Sequence, residues 1–414
     1  MLKNVFIVFS SYLISQILNF VSGIMVIKMV SPEDFGRYSV ATNFINLIVI
    51  PLSGFLTAGL RRYTAYYISR NEYSFLSGII KICIVYAFSL SIILTLPFLF
   101  FSKFISQIFL NSLEYSKFLF FYSFSIPFII FSNYLSSFLT GLEKFKEISI
   151  SNNISPNISR ILFLFIWWLF LPFKEVGITF SLVFKSIVSF FQLSFYSLKK
   201  LKEFLKFEKK YEFKEWFRYS FPTFLRYVFS YIADNIGVVI LGSSKNSLEA
   251  GIYRGANFLS NMLWSINLSF SSVLNPRLVH LIAQNKITES KRLMYKFMFL
   301  NILVNFIFLL MFIIFGKQLL YLLGKEYING YNVLIILSLC SLIGAISGGF
   351  EVYIDAKGRS DLNLISYIIY NISTIYFIAL FTNLYSKEGT ALGYLFGIVV
   401  LSIVRFIFYF KISK

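Results

Sequence analysis

A chain of 414 residues with 57% hydrophobic and only 14% charged side chains cannot cover a soluble surface, which needs roughly a quarter of its residues charged. No soluble packing hides 52 Phe and 27 Tyr, and the mean hydropathy is +0.73. The 38 Lys and Arg against 19 Asp and Glu give a net charge of +19, but the basic residues fall in short segments between apolar runs. They read as topology signals facing an anionic leaflet, not as a nucleic-acid footprint.

A helix needs about 20 mostly apolar residues to cross the hydrocarbon core. Twelve stretches qualify, near residues 5–27, 38–60, 79–101, 118–140, 148–171, 176–198, 218–241, 250–274, 293–315, 331–354, 362–384 and 388–410. Barrel strands would be about 10 residues long with alternating polarity, so the expected class is an all-α integral membrane protein. The first stretch is too long for a signal-peptide core and no alanine precedes Ala41, so it reads as a retained helix. Cys83 and Cys340 lie in apolar runs without disulfide or metal spacing, and His280 reads as a solvated loop residue.

One set of loops plus both termini holds 26 basic residues, Arg160 and Arg405 counted among them, and the other set holds 10; Lys185 and Arg226, at membrane depth, complete the 38. This bias places both termini in the cytoplasm. Between helices 6 and 7, Lys199–Arg218 is the longest polar stretch. Its Leu201, Phe204, Leu205 and Phe207 recur at helical spacing among lysines, as expected of an amphipathic linker on the inner leaflet. The expected domains are a six-helix lobe over 1–198, the linker over 199–217, and a second six-helix lobe over 218–414.

The halves repeat. A shift of 215 positions carries Gly36, Tyr38, Ala41 and Arg62 onto Gly251, Tyr253, Ala256 and Arg277, and a shift of 212 carries Glu114-Tyr115 onto Glu326-Tyr327 and Gly177 onto Gly389. Six helices per half make the repeat parallel, about an axis along the membrane normal, which is a transporter architecture.

The segment Ser31-Pro-Glu-Asp-Phe-Gly-Arg-Tyr38, the Gly-x-Tyr openings at Gly36 and Gly251, and Gly141-Leu-Glu-Lys-Phe145 carry a resemblance. So do Leu322-Leu-Gly-Lys-Glu-Tyr327 and Ala356-Lys-Gly-Arg359. Together, over essentially the whole chain, they resemble the polysaccharide flippases of the multidrug/oligosaccharidyl-lipid/polysaccharide exporter superfamily, the O-antigen and capsule translocases. The resemblance implies a MATE-like pair of lobes with helices 1, 2, 7 and 8 lining a cavity. It also implies an undecaprenyl-diphosphate-linked oligosaccharide carried from the cytoplasmic to the periplasmic leaflet by alternating access, with a polysaccharide polymerase and other assembly proteins as possible partners. Lipid II flippases of that superfamily add two helices, and no such pair is found in this sequence.

Ionisable residues at membrane depth are costly and tend to face a cavity or a partner. Helix 7 carries Arg226 and Asp234, and helix 6 carries Lys185; Lys28, Arg37 and Arg254 lie near the outer ends of helices 1, 2 and 8. A diphosphate calls for cationic donors, arginine in particular, so these are the candidate substrate-binding residues. For Lys28, Arg37 and Arg254 a snorkelling role at the interface stands beside that reading. Asp234 is expected either to orient a neighbouring cation or to couple transport to H⁺ or Na⁺. Asn43, Asn46, Asn257, Asn261 and Asn267 have two readings, as sugar contacts or as interhelical hydrogen bonds. Glu351, Asp355 and Arg405 read as anchors or gate contacts. No Walker loop or catalytic constellation is present, and a single histidine excludes most His-dependent schemes; no cofactor is expected. Two other functions remain to be weighed. A drug or organic-cation antiporter of the same superfamily would want more acidic groups in its helices. A membrane polysaccharide polymerase or ligase would want a large outer loop, whereas the longest expected here has about 17 residues.

Overall fold

A computed structural model of the chain describes residues 2–244 and 247–413. The side chains of residues 2–9, of Ser413 and of several positions between 222 and 283, Arg226, Asp234 and His280 among them, lie outside the described set, as does Lys245.

The described chain is almost entirely helical, as a backbone in hydrocarbon must be when each N–H and C=O is satisfied within its own segment. The first half comprises α1 (Leu2–Met29), α2 (Pro32–Gly54), α3 (Thr57–Ser69), α4 (Tyr73–Phe100), α5 (Ser102–Leu110), α6 (Ser116–Ser123), α7 (Ile126–Gly141), α8 (Phe145–Ile148), α9 (Ser155–Phe170) and α10 (Lys174–Phe204). The second comprises α11 (Phe213–Ser244), α12 (Ser247–Ala283), α13 (Ile287–Leu323), α14 (Tyr331–Ala356) and α15 (Ser360–Ser413). All twelve expected stretches fall on helix, with breaks that periodicity does not show. Leu56 takes a left-handed conformation (φ 64°) between α2 and α3, α6 and α7 bend by 47°, and Ser386 (φ 53°) kinks α15. By length and apolarity, seven described helices suffice to cross a membrane, eight with the bent pair. This is a multi-pass membrane protein. α12 continues well past the expected end near residue 274, which places Arg277 on helix and not in a loop.

Two compact units emerge: residues 1–31 with 40–231, and residues 32–39 with 232–414. In the N-terminal unit, α9 and α10 pack together and against α1, and α10 also packs on α7. α10 runs on through Phe204, residues 205–212 leave the helix, and α11 begins at Phe213. The non-helical segment docks on α3 and α4. The Lys210 N–H donates to the Ser74 carbonyl (3.1 Å), Ser77 Oγ donates to the Phe207 carbonyl (3.2 Å), and Tyr67 OH donates to Glu212 (2.8 Å). Fully buried Trp216 donates its Nε1–H to Tyr67 OH (2.8 Å). The expected surface-lying amphipathic helix is therefore, in part, a strap on its own unit.

In the C-terminal unit, α14 packs against α12, α13 and α15. The start of α2 belongs here, where Gly36 meets α12. A methyl built on Gly36 would overlap the Ser247 carbonyl, and one built on Gly251 would overlap the Pro32 carbonyl. The 215 shift that pairs Gly36 with Gly251 also pairs Pro32 with Ser247, so the contact is reciprocal, as in a two-fold interface. Only glycine permits so close a helix crossing.

Candidate functional site

Within the N-terminal unit a polar column runs between α1, α9 and α10. On α1 the residues are Ser11, Ser15, Asn19 and Ser22, spaced by one helical turn and covering about 17 Å of axis. α9 is entered through a π-helical turn, Ser149–Ile154, a winding common at functional positions. The wide turn sends consecutive asparagines to different neighbours. Asn152 donates to Ser136 of α7 (2.9 Å) and accepts from Ser189 of α10 (3.2 Å), while Asn153 donates to Ser11 (3.2 Å). One turn on, Asn157 donates to Ser15 (3.0 Å) and to the Asn153 carbonyl (2.7 Å), leaving its buried Oδ1 without a partner.

Two cations enter this column. Arg160, 9% exposed, reaches Ser22 Oγ through Nη1 (3.4 Å) and Ser181 Oγ through Nε (3.3 Å). Both hydroxyls give their protons to backbone carbonyls, of Asn19 and Ile178, and so present lone pairs to the guanidinium. Lys185, half-buried on α10, donates to Asn19 Oδ1 (3.3 Å), and Asn19 in turn donates to Ser15 (3.3 Å). Among the described residues Lys185 has no carboxylate partner. A cation at the centre of a spanning helix costs roughly 2.5–3.5 kcal/mol, so its counter-charge is a question the column itself raises.

The equivalent region of the C-terminal unit answers differently. Asn157-Ile-Ser-Arg-Ile aligns with Asn371-Ile-Ser-Thr-Ile at a shift of 214, and Gly177…Lys185 with Gly389…Gly397 at 212. Asn371 repeats the geometry of Asn157: its amide donates to the carbonyl four residues back, Tyr367, at the same 2.7 Å, and its Oδ1 is likewise buried and unpartnered. One turn later the units part. Thr374 stands where Arg160 would, and Gly397, where Lys185 would, packs so tightly that a methyl on it would overlap Thr374 Oγ1.

Among the described residues, buried polarity in the C-terminal unit is neutral or paired. Asn267 donates to the carbonyl and hydroxyl of Ser341 (2.9 and 3.0 Å), and its Oδ1 accepts from Asn305 (2.8 Å), whose amide also reaches Asn301. Asn267 is thus interhelical glue. Arg405, 3% exposed, pairs with Glu351 (3.0 Å), donates to Ser347 (2.7 Å) and lies over the Tyr367 ring, while Tyr367 OH donates to Glu351 (2.9 Å). Asp355 accepts from Ser360 (2.8 Å).

The remaining sequence candidates are spread over both units. Lys28 is exposed in the last turn of α1. Arg37 is held by two carboxylates of its own helix, Glu33 (2.6 Å) and Asp34 (2.8 Å). Arg254 donates to Asn257 Oδ1 (3.1 Å), which also accepts from Asn261 (3.0 Å), so these three form a chain along one face of α12. Asn43 is buried, and Asn46 Oδ1 accepts from Tyr122 OH (2.9 Å). The side chains of Arg226 and Asp234 lie outside the described residues. Two residues counted as loop cations, Arg160 and Arg405, are instead buried within helices. The asparagine repeat, visible in the sequence, is the signal that locates Arg160.

A family model described as polysaccharide biosynthesis protein matches residues 1–282. The chain is 24% identical, over 430 aligned positions, to the capsular polysaccharide biosynthesis protein CapF of Staphylococcus aureus, covering 100% of this chain and 99% of that one. Among solved structures it is similar to an inward-facing multidrug resistance MATE family transporter of the MOP superfamily, with a TM-score of 0.80, 14% identity and coverage of 96% and 94% of the two chains. It is also similar to the lipid II flippase MurJ in an inward closed conformation, with a TM-score of 0.78, 18% identity and coverage of 98% and 87%. At these identities the likeness shows the fold, the MATE-like one that the resemblance implies.

Proposed function

The chain belongs to the polysaccharide biosynthesis protein family, and on that premise we propose that it moves an undecaprenyl-diphosphate-linked oligosaccharide from the cytoplasmic to the periplasmic leaflet by alternating access. It would reside in the bacterial inner membrane with both termini cytoplasmic, close to the polymerase that uses its product. The observation that carries the reading is the sign of the charge inside the spanning helices. Glu351 is neutralised by Arg405, whereas Lys185, beside Arg160, has no carboxylate among the described residues. A positive interior suits an anionic headgroup and disfavours an organic cation.

In this reading Arg226 grips the diphosphate, because a guanidinium offers a bidentate fork to phosphate oxygens. Lys185 adds positive field from within the N-terminal unit. Lys28, Arg37 and Arg254 serve the periplasmic end, where Arg37 exchanges Glu33 and Asp34, and Arg254 exchanges Asn257, for phosphate oxygens. Asn43, Asn46, Asn257 and Asn261 supply amides to sugar hydroxyls, and Asp234 orients a cation or carries a coupling ion. The test is surface polysaccharide measured at matched membrane abundance. Arg226→Ala is expected to abolish export and Arg226→Lys to restore part of it, since lysine keeps the charge but not the fork. Wild-type export by Arg226→Ala would contradict the proposal.

A further inference from the structure

We propose that Lys185 and Arg160 hold a small inorganic anion of chloride size inside the N-terminal unit, in the polar column between α1, α9 and α10. The inference does not rest on the identity of the transported substrate. Lys185 is fixed to α1 through Asn19, Arg160 through Ser22, and Ser22 Oγ donates to the Asn19 carbonyl (3.0 Å), so the two cations converge on one turn of α1. The Lys185–Asn19 contact is long for a cation donor, at 3.3 Å, where a charge-assisted N–H···O bond to an anionic oxygen is about 2.7–2.9 Å. An ammonium and a guanidinium brought together at membrane depth, with no carboxylate on Lys185 among the described residues, repel each other, and a shared anion removes that repulsion.

The buried, unpartnered Oδ1 of Asn157 recurs in Asn371, where no cation stands one turn on, so it belongs to the plan the two units share and the cation pair does not. The internal repeat shows that this is not the architecture's way of closing the crossing. With the asparagine retained in Asn371, Thr374 and Gly397 close the same crossing in the other unit by direct packing. The size follows from burial. Arg160 is more than nine-tenths buried among packed helices, which excludes a lipid diphosphate with its sugars and leaves a monatomic ion as the anion to test.

The test uses the full chain, purified in detergent, with thermal unfolding followed in sodium gluconate against increasing sodium chloride or bromide. Wild-type protein is expected to unfold at a higher temperature as the halide rises, saturating as one site. Lys185→Gln should lose the halide response and Lys185→Arg should keep it. Arg160→Thr with Lys185→Gly, which copies the Thr374–Gly397 pair, should yield folded protein that no longer responds. That variant keeps the test decisive if Lys185→Gln fails to fold. An equal halide response in wild type and the double variant, or none in wild type, overturns the proposal. So does stabilisation through Lys185 by inorganic pyrophosphate but not by halide, which would assign the cations to a phosphate headgroup. Failure of the export reading would leave this binding result intact, because no transport is measured.

Discussion

The polar interiors of the two units start from one plan and diverge at one turn of helix. Asn157 and Asn371 make the same bond to the carbonyl four residues back and leave the same oxygen unpartnered. Beyond them, the N-terminal unit carries Arg160 and Lys185, while the C-terminal unit carries Thr374 against Gly397. The comparison separates what the architecture requires from what has been added. A small-residue crossing suffices to pack these helices, so the cations serve something other than packing. Among the described residues the C-terminal unit has buried charge too, but there it is compensated, with Glu351 against Arg405.

The comparison can be broken at several points. The largest effect is expected at the compensated pair. Glu351→Ala strands the buried Arg405 and should cost about 3–5 kcal/mol, read as a steep loss of folded protein in detergent. Unchanged stability would mean that Arg405 finds another acceptor. Next, Gly397→Val forces a branched side chain into Thr374 and should cost about 1–3 kcal/mol, again by thermal unfolding; a neutral result would show that the crossing is looser than its geometry. Arg160→Thr with Lys185→Gly exchanges a desolvation cost for a void, and a loss of no more than about 2 kcal/mol is expected. A collapse of the fold would make the cations structural. Smallest of all, Lys206→Cys, on an exposed residue of the strap, should leave stability unchanged. It should react with a membrane-impermeant thiol reagent only in inverted vesicles, and labelling of intact cells would reverse the assigned topology.

Much of this was legible in the sequence. Apolar runs of membrane-spanning length located the helices, and the 215 shift found Gly36 and Gly251, whose reciprocal contact shows why both must be glycine. The breaks at Leu56 and Ser386 were not legible, because a single left-handed residue leaves no mark on periodicity. Arg160 was misplaced because it was counted as a loop cation, when its counterpart Thr374 lies in mid-helix. The π-helical turn before it was equally hidden, since it changes winding and not composition. The role of Asn19 depends on α1 meeting α10, a contact 166 residues apart in the chain. No local pattern reveals such a contact.

The central claim is that Lys185, which has no carboxylate partner among the described residues, and Arg160 beside it serve transport and not the packing of their helices. Export of lipid-linked polysaccharide to the cell surface, compared between wild type and Arg160→Thr with Lys185→Gly at equal membrane abundance, tests it most directly. The expected result is a correctly inserted variant whose export falls at least about tenfold, equivalent to about 1.4 kcal/mol in the limiting step. Wild-type export by that variant would contradict the claim and return Arg160 and Lys185 to the packing of their unit.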